Sequence, residues 1–274
     1  VRKNFLATLN LKDAYFHIPV HADSQLYLRF SMAGECFQFQ ALPFSLATAP
    51  RIFTKVLAPV VACLHLTGVS VFPYLDDLML CVSSFSKAQR DVKVTCCLLK
   101  SLGWILNLSK SNLVPSQEVT FIGAVFNTQE GQVFLPRKRA ISLQKNLRLL
   151  FSLTEAPARM WLKLQGYMAA CTAVVQWARL NLKPLLNHLP MHWDQSSQDS
   201  ETLVPVSQQI IQDLQWWLVD DNLLKGVPFL FPALLVLTTD ASLWGWVAVL
   251  GLQEKKCPCL QRKGVSLSTG GSWR

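Results

Sequence analysis

Val71-Phe72-Pro73-Tyr74-Leu75-Asp76-Asp77-Leu78-Met79-Leu80-Cys81-Val82 sets two acidic residues between two apolar runs. Such runs, with β-branched and aromatic residues and a polar break, predict a β-hairpin with Asp76 and Asp77 at its turn. Adjacent carboxylates repel, which costs energy unless a cation neutralises them. Mg²⁺ is a hard ion that takes oxygen ligands, commonly one or two carboxylates together with substrate phosphates. Taken alone, the pair reads either as a solvated acidic turn or as part of a metal site, and its surroundings have to decide.

Of the 274 residues, 51% are hydrophobic and 16% charged, which supports a packed core and excludes a disordered chain. A net charge of +9 favours a polyanionic partner, either nucleic acid or an acidic membrane surface. No 18-residue apolar run is present, and the greasiest stretch, Phe229–Leu237, is too short to span a bilayer, so no membrane partner is expected. The 8 cysteines lie mostly in apolar segments and read as core residues of an intracellular protein without a disulfide framework. Zinc is not expected: Cys257-Pro258-Cys259 lacks a second pair, and Pro190 argues against a shared helix face for His188 and His192. The opening Val1-Arg2-Lys3-Asn4-Phe5 has neither Met nor a signal pattern and reads as the inside of a longer frame.

Working outward, Phe5–Asn10 is a short apolar strand, and Leu26–Phe30 with Cys36–Leu42 reads as paired strands about Ala33-Gly34-Glu35. Apolar residues at 53, 56, 57, 60, 61 and 64 predict a helix that stops at Gly68, with a kink at Pro59. Ser86 and Gln89 suggest a capping box for a helix running to Leu102. Val119–Phe126 reads as one strand, Arg137–Leu153 as a basic amphipathic helix, Arg159–Leu186 as one long helix, and Val206–Leu224 as another holding Trp216-Trp217. The polar stretch His188–Glu201 between them reads as a loop. The fold class is therefore α+β, helices backing an antiparallel sheet.

These residues resemble the successive motifs of reverse transcriptases. Leu9-Asn10-Leu11-Lys12-Asp13-Ala14-Tyr15-Phe16 is similar to the first palm motif, and Leu42-Pro43-Phe44-Ser45-Leu46-Ala47-Thr48-Ala49-Pro50-Arg51 to the second. Tyr74-Leu75-Asp76-Asp77 resembles the Tyr-x-Asp-Asp box, Leu102-Gly103-Trp104 through Ser109-Lys110-Ser111 the fourth motif, and Phe121-Ile122-Gly123 the fifth. The details resemble DIRS-type retroelements and their relatives most, and Thr238-Thr239-Asp240-Ala241-Ser242 resembles the first strand of an RNase H domain. The resemblance implies a polymerase palm over residues 1–130 without fingers, a helical thumb or connection over 131–232, a truncated RNase H start over 233–252 and an unstructured basic tail over 253–274.

The function it implies is RNA-directed DNA polymerisation by two-metal nucleotidyl transfer, with Mg²⁺ or Mn²⁺ as cofactor. The partners are an RNA template, a DNA primer and deoxynucleoside triphosphates. Asp76 and Asp77 are the implied metal ligands, position 10 the third ligand, and Lys110 the cation that meets the leaving pyrophosphate. Tyr15 is the implied steric gate against a ribose 2′-hydroxyl, while Phe44, Ser45, Tyr74 and Leu75 line the substrate. Asp13 is a neighbouring support, and Asp240 a remnant of the RNase H site.

The departures from the family pattern carry as much weight. Asn10 stands where the family has its first catalytic Asp, and an amide is a weaker, neutral ligand that cannot bridge two metals as a carboxylate does. Losing that ligand is expected to cost roughly a hundredfold to a few thousandfold in rate. Ser45 replaces an expected Gly, and Glu254 is the single acid after Asp240. Hybrid cleavage is therefore not expected, and a non-catalytic nucleic-acid-binding remnant is the rival to an impaired polymerase.

Overall fold

A computed structural model describes residues 3–196 and 199–229, together with the backbone of strands over 235–242, 245–252 and 265–267. It divides into two compact units, Val1–Phe229 and Leu230–Arg274. In the first unit β1 is Phe5–Asn10, β2 Arg29–Met32 and β3 Glu35–Gln38; helix α1 is Ala49–Leu66, followed by β4 Val71–Tyr74, β5 Asp77–Val82 and α2 Phe85–Ser101. Strands β6 Asn112–Ser116, β7 Glu118–Phe121, β8 Ala124–Asn127 and β9 Gln132–Phe134 come next. Helices α3 Arg137–Phe151, α4 Ala158–Cys171, α5 Ala178–His192 and α6 Gln208–Leu214 then follow.

The site is positioned by a sheet of order β4-β5-β1-β6, in which β1 is antiparallel to both β5 and β6. Alternation on β5 turns Leu78, Leu80 and Val82 into the core and leaves Asp77, Met79 and Cys81 on the half-buried face. The core joins Ala7 and Leu9 of β1 to Phe53, Leu57 and Leu64 of α1 and to Val92 and Leu99 of α2. This is the expected palm-like layer of helices on an antiparallel sheet. The apolar period found α1, which starts four residues earlier than expected, at Ala49, and the capping pattern found α2, but the cap of α2 is Ser84, whose hydroxyl accepts from the Lys87 amide, and not Ser86. Helix α1 runs on through Pro59.

By length and composition alone α1 could cross a membrane, which corrects the expectation that no such segment exists. Arg51, Lys55 and His65 interrupt the apolar run, so the helix holds no unbroken apolar stretch of that length. Its Phe53, Leu57, Val61 and Leu64 face the core.

Beyond the palm-like sheet the structure corrects several expectations. Val119–Phe126 is two strands, because Ile122 and Gly123 both take positive φ, 48° and 71°, and fold β7 onto β8. The long helix expected over Arg159–Leu186 breaks at Thr172–Trp177 into α4 and α5, with Trp177 in the left-handed region at φ 66°. The helix expected over Val206–Leu224 is α6, a 3₁₀ turn at Gln215–Leu218 and a short helix at Asp220–Leu224. Helix α5 passes through Pro184 and Pro190 and ends at His192, so His188 does not lie in a loop. Proline's φ is itself helical, so Pro190 leaves His188 and His192 on one face with ring centroids 4.4 Å apart. A second core, holding Leu147, Trp161, Leu164, Leu185, Leu214 and Trp217, unites these helices.

In the second unit the strand Leu235–Ser242 pairs antiparallel with Gly245–Leu252, setting Asp240 opposite Val247. Val265–Leu267 adds a third strand, so this piece of the tail is not without structure: a Val-Ser-Leu alternation lies hidden in Gly/Ser-rich context. The Asp240 side chain and the rest of the tail lie outside the described residues.

Candidate active site

Tyr74-Leu75-Asp76-Asp77 forms a two-residue hairpin turn, with Tyr74 paired to Asp77. Leu75 holds φ 51°, a left-handed conformation that costs a side-chain-bearing residue roughly 1–2 kcal/mol. Pairing of β1 with β5 in register Leu9↔Leu78 and Asn10↔Asp77 brings position 10 to the same sheet end. There the buried Asn10 side chain donates through Nδ2 to Asp76 Oδ2 at 3.0 Å and to Asp77 Oδ1 at 2.7 Å. One amide thus spans both carboxylates and offsets part of their mutual repulsion.

The main chain of Asn10 is equally fixed. Its N–H donates to Ser111 Oγ at 2.9 Å, and its carbonyl accepts from the Asn107 amide at 2.8 Å. Ser111 Oγ in turn donates to the Asn107 carbonyl at 2.7 Å, while Leu11 N–H donates to the Asp76 carbonyl at 2.8 Å. Asn107 carried no expected role, and Ser111 was visible only as a neighbour of Lys110. A contact spanning a hundred positions leaves no mark in local pattern.

Tyr15 lies beside this cluster. Burial raises its phenol above the usual tyrosine range, and the charge of Asp76 raises it further. Its ring packs on Phe44 at 5.0 Å and on Phe53 at 5.4 Å, so two of the expected substrate-lining residues are brought together. Phe44 is half exposed and also meets Phe16 edge to face at 5.1 Å. Ser45 is exposed with φ 70°, a conformation that favours the glycine expected there. Tyr74 is exposed and Leu75 half buried at the turn. Lys110 is exposed on the turn that begins at Asn107, and among the described residues its ammonium makes no ion pair.

Two carboxylates fit one divalent ion, since Mg²⁺ completes its shell with water and phosphate oxygens. Asn10 presents its N–H to both carboxylates and adds no third anion beside them. Among the described residues no group of three or more His, Cys, Asp or Glu side chains could hold a metal.

Comparison with known proteins accords with this geometry. A family model described as reverse transcriptase (RNA-dependent DNA polymerase) matches residues 2–126. The chain is 26% identical over 261 residues to the retrovirus-related Pol polyprotein from transposon opus of Drosophila melanogaster, covering 92% of this chain and 24% of that protein. It is 27% identical over 119 residues to Protein P of duck hepatitis B virus, covering 42% and 15% respectively. Among solved structures it superposes on the foamy viral protease-reverse transcriptase in complex with RNA/DNA hybrid, with TM-score 0.71 and 18% identity over 98% of this chain and 34% of that one. The complex of that viral enzyme with double-stranded DNA gives TM-score 0.65 and 19% identity, over 98% and 52%. The chain thus spans about a quarter of the transposon polyprotein's length.

Proposed function

We propose, since residues 2–126 match the reverse transcriptase family model, that this chain carries the polymerase palm of a retrotransposon, with its nucleotidyl-transfer chemistry impaired at Asn10. The observation that carries the reading is the Asn10 amide bonded to both Asp76 and Asp77 at the tip of the β1/β5 pair.

In this reading Asp76 and Asp77 would hold a single Mg²⁺ or Mn²⁺. When bound, the ion offers positive charge to the oxygens of a transferring phosphoryl group. Asn10 supplies hydrogen bonds where the transfer calls for a negative bridging ligand, so the two carboxylates are tied to each other. Tyr15, braced by Phe44 and Phe53, closes the side on which a ribose 2′-hydroxyl would project, which selects deoxynucleotides. Phe44 and Ser45 face the nascent pair, with Tyr74 and Leu75 beneath the primer end. Lys110 reaches the leaving pyrophosphate through its long, exposed side chain. The partners are an RNA template with a DNA primer, favoured by the net charge of +9. Asp240 belongs to the start of an RNase H domain in the same proposal.

The test is primer extension by the chain alone and by the chain fused behind the preceding segment of the transposon relative. Asn10→Asp should raise extension by about a hundredfold or more, and a further Asp76→Asn should abolish the gain. No gain in either form would remove position 10 from the metal site. The Asn10 bonds also favour a second reading, a binding module without catalysis. Salt-sensitive duplex binding that persists while Asn10→Asp stays inert would select it.

A further inference from the structure

His17 sits two residues beyond Tyr15, and its ring has two distinct jobs. Nε2 lies 3.1 Å from the Ile105 main-chain nitrogen, whose N–H donates to it. A nitrogen that accepts from an amide is unprotonated, so the proton of a neutral ring belongs on Nδ1. Nδ1 lies 3.3 Å from the Ala14 carbonyl, the acceptor that this tautomer needs. The ring also packs on Trp104 at 4.9 Å.

Ile105 is held at its other main-chain group as well, because its carbonyl accepts from the Lys12 N–H at 2.8 Å. From there Leu106 bridges Leu11, and the Asn107 amide donates to the Asn10 carbonyl. Residues 104–107 therefore run beside 10–12, and His17 closes the end of that pairing. The same imidazole anchors the turn Ala14–His17 that carries Tyr15 and Phe16.

We propose that His17 is a positioning residue: as the neutral, Nδ1-protonated imidazole it latches the Tyr15 turn to the main chain that seats Asn10. Protonation of Nε2 would set an N–H against the Ile105 N–H and open the latch. The groups that face the ring are the Ala14 carbonyl of its own turn and, from the segment after α2, the Trp104 indole and the Ile105 amide. Phe53 of α1 packs edge to face on the same Trp104. Lys12 and Asp13 on its own turn are exposed, and none of the ion pairs among the described residues includes His17. The functional half of this inference rests on the polymerase reading above; the latch itself does not.

The experiment follows hydrogen exchange at the Ile105 amide by NMR, corrected for intrinsic pH dependence, with the His17 ring resonances reporting protonation. In the unsubstituted chain, protection should fall about tenfold as the ring takes up its second proton. His17→Gln, whose Oε1 can accept the same bond without titrating, should keep the amide protected at both pH extremes. His17→Phe keeps a ring against Trp104 but should lose protection throughout. Equal protection in His17→Phe and the unsubstituted chain, or no change on His17 protonation, would overturn the latch. In the Asn10→Asp background, His17→Phe should raise the deoxynucleotide KM more than it lowers kcat, with His17→Gln restoring it. If exchange behaves as expected while no variant extends a primer, the latch stands and the polymerase reading falls.

Discussion

The amide of Asn10 reaches Asp76 Oδ2 at 3.0 Å and Asp77 Oδ1 at 2.7 Å, and each bond relieves part of a repulsion that a cation would otherwise screen. Replacing it with Asp leaves three carboxylates within hydrogen-bonding reach. Without divalent ions, Asn10→Asp should destabilise the chain by about 2–4 kcal/mol, seen as a lower denaturation midpoint, and Mg²⁺ or Mn²⁺ should restore it. The neighbouring phenol offers a second test. Tyr15 ionises late because it is partly buried and because Asp76 is charged. A raised folded-state value means that its contribution to stability is complete below about pH 10 and is lost as pH rises through the folded-state ionisation. Ultraviolet titration, taken as the difference from Tyr15→Phe, should show that ionisation moving to lower pH in Asp76→Asn while staying above the free-tyrosine value. An unmoved titration would mean that the two side chains are not neighbours. Ser45 gives a third test: at φ 70° Ser45→Gly should stabilise by about 1 kcal/mol, measured by denaturant unfolding.

At the scale of elements, what could be read from the sequence had a local cause. The spacing of Phe53, Leu57, Val61 and Leu64 prescribes α1 because a helix must bury one stripe, and a serine-glutamine capping pattern marked the start of α2 to within two residues. The β4–β5 hairpin announced itself by a polar break between apolar runs. The β7–β8 turn did not, since Ile122 is an unusual residue for φ 48° and gave no turn signal. Its neighbour Gly123 is required by φ 71°, and a Cβ there would also displace the Arg139 guanidinium of α3, the exposed end of a flexible side chain that can move aside. Gly123→Ala should therefore cost on the order of 2 kcal/mol, and Arg139→Ala should recover part of that loss. Strict additivity of the two changes in denaturant unfolding would rule out the contact. The break between α4 and α5 was hidden for another reason. Every residue from Thr172 to Trp177 is compatible with a helix, and only tertiary packing decides otherwise.

Across the whole molecule, the candidate site exists only because β1, the hairpin tip and the segment ending at Ser111 meet at one sheet end. The motif residues were legible from the sequence, whereas the Asn107 and Ser111 seat and the His17 latch were not, because each joins positions far apart along the chain. Charge is also distributed by the fold. Arg137 and Lys138 lie exposed at the start of α3, while Arg139 rests on Gly123. Neutralising Arg137 and Lys138 should reduce the salt dependence of duplex binding by roughly 0.9 in log–log slope for each phosphate that is no longer neutralised. The same change at Arg139 should act on stability as well. How many divalent ions the assembled site holds decides whether Asn10 limits it. Manganese titration followed by electron paramagnetic resonance should find at most one weak site in the unsubstituted chain. Asn10→Asp should bind at least about tenfold more tightly, and Asp76→Asn should lose that gain. Two tightly held ions in the unsubstituted chain, or equal affinity in Asn10→Asp, would contradict the account.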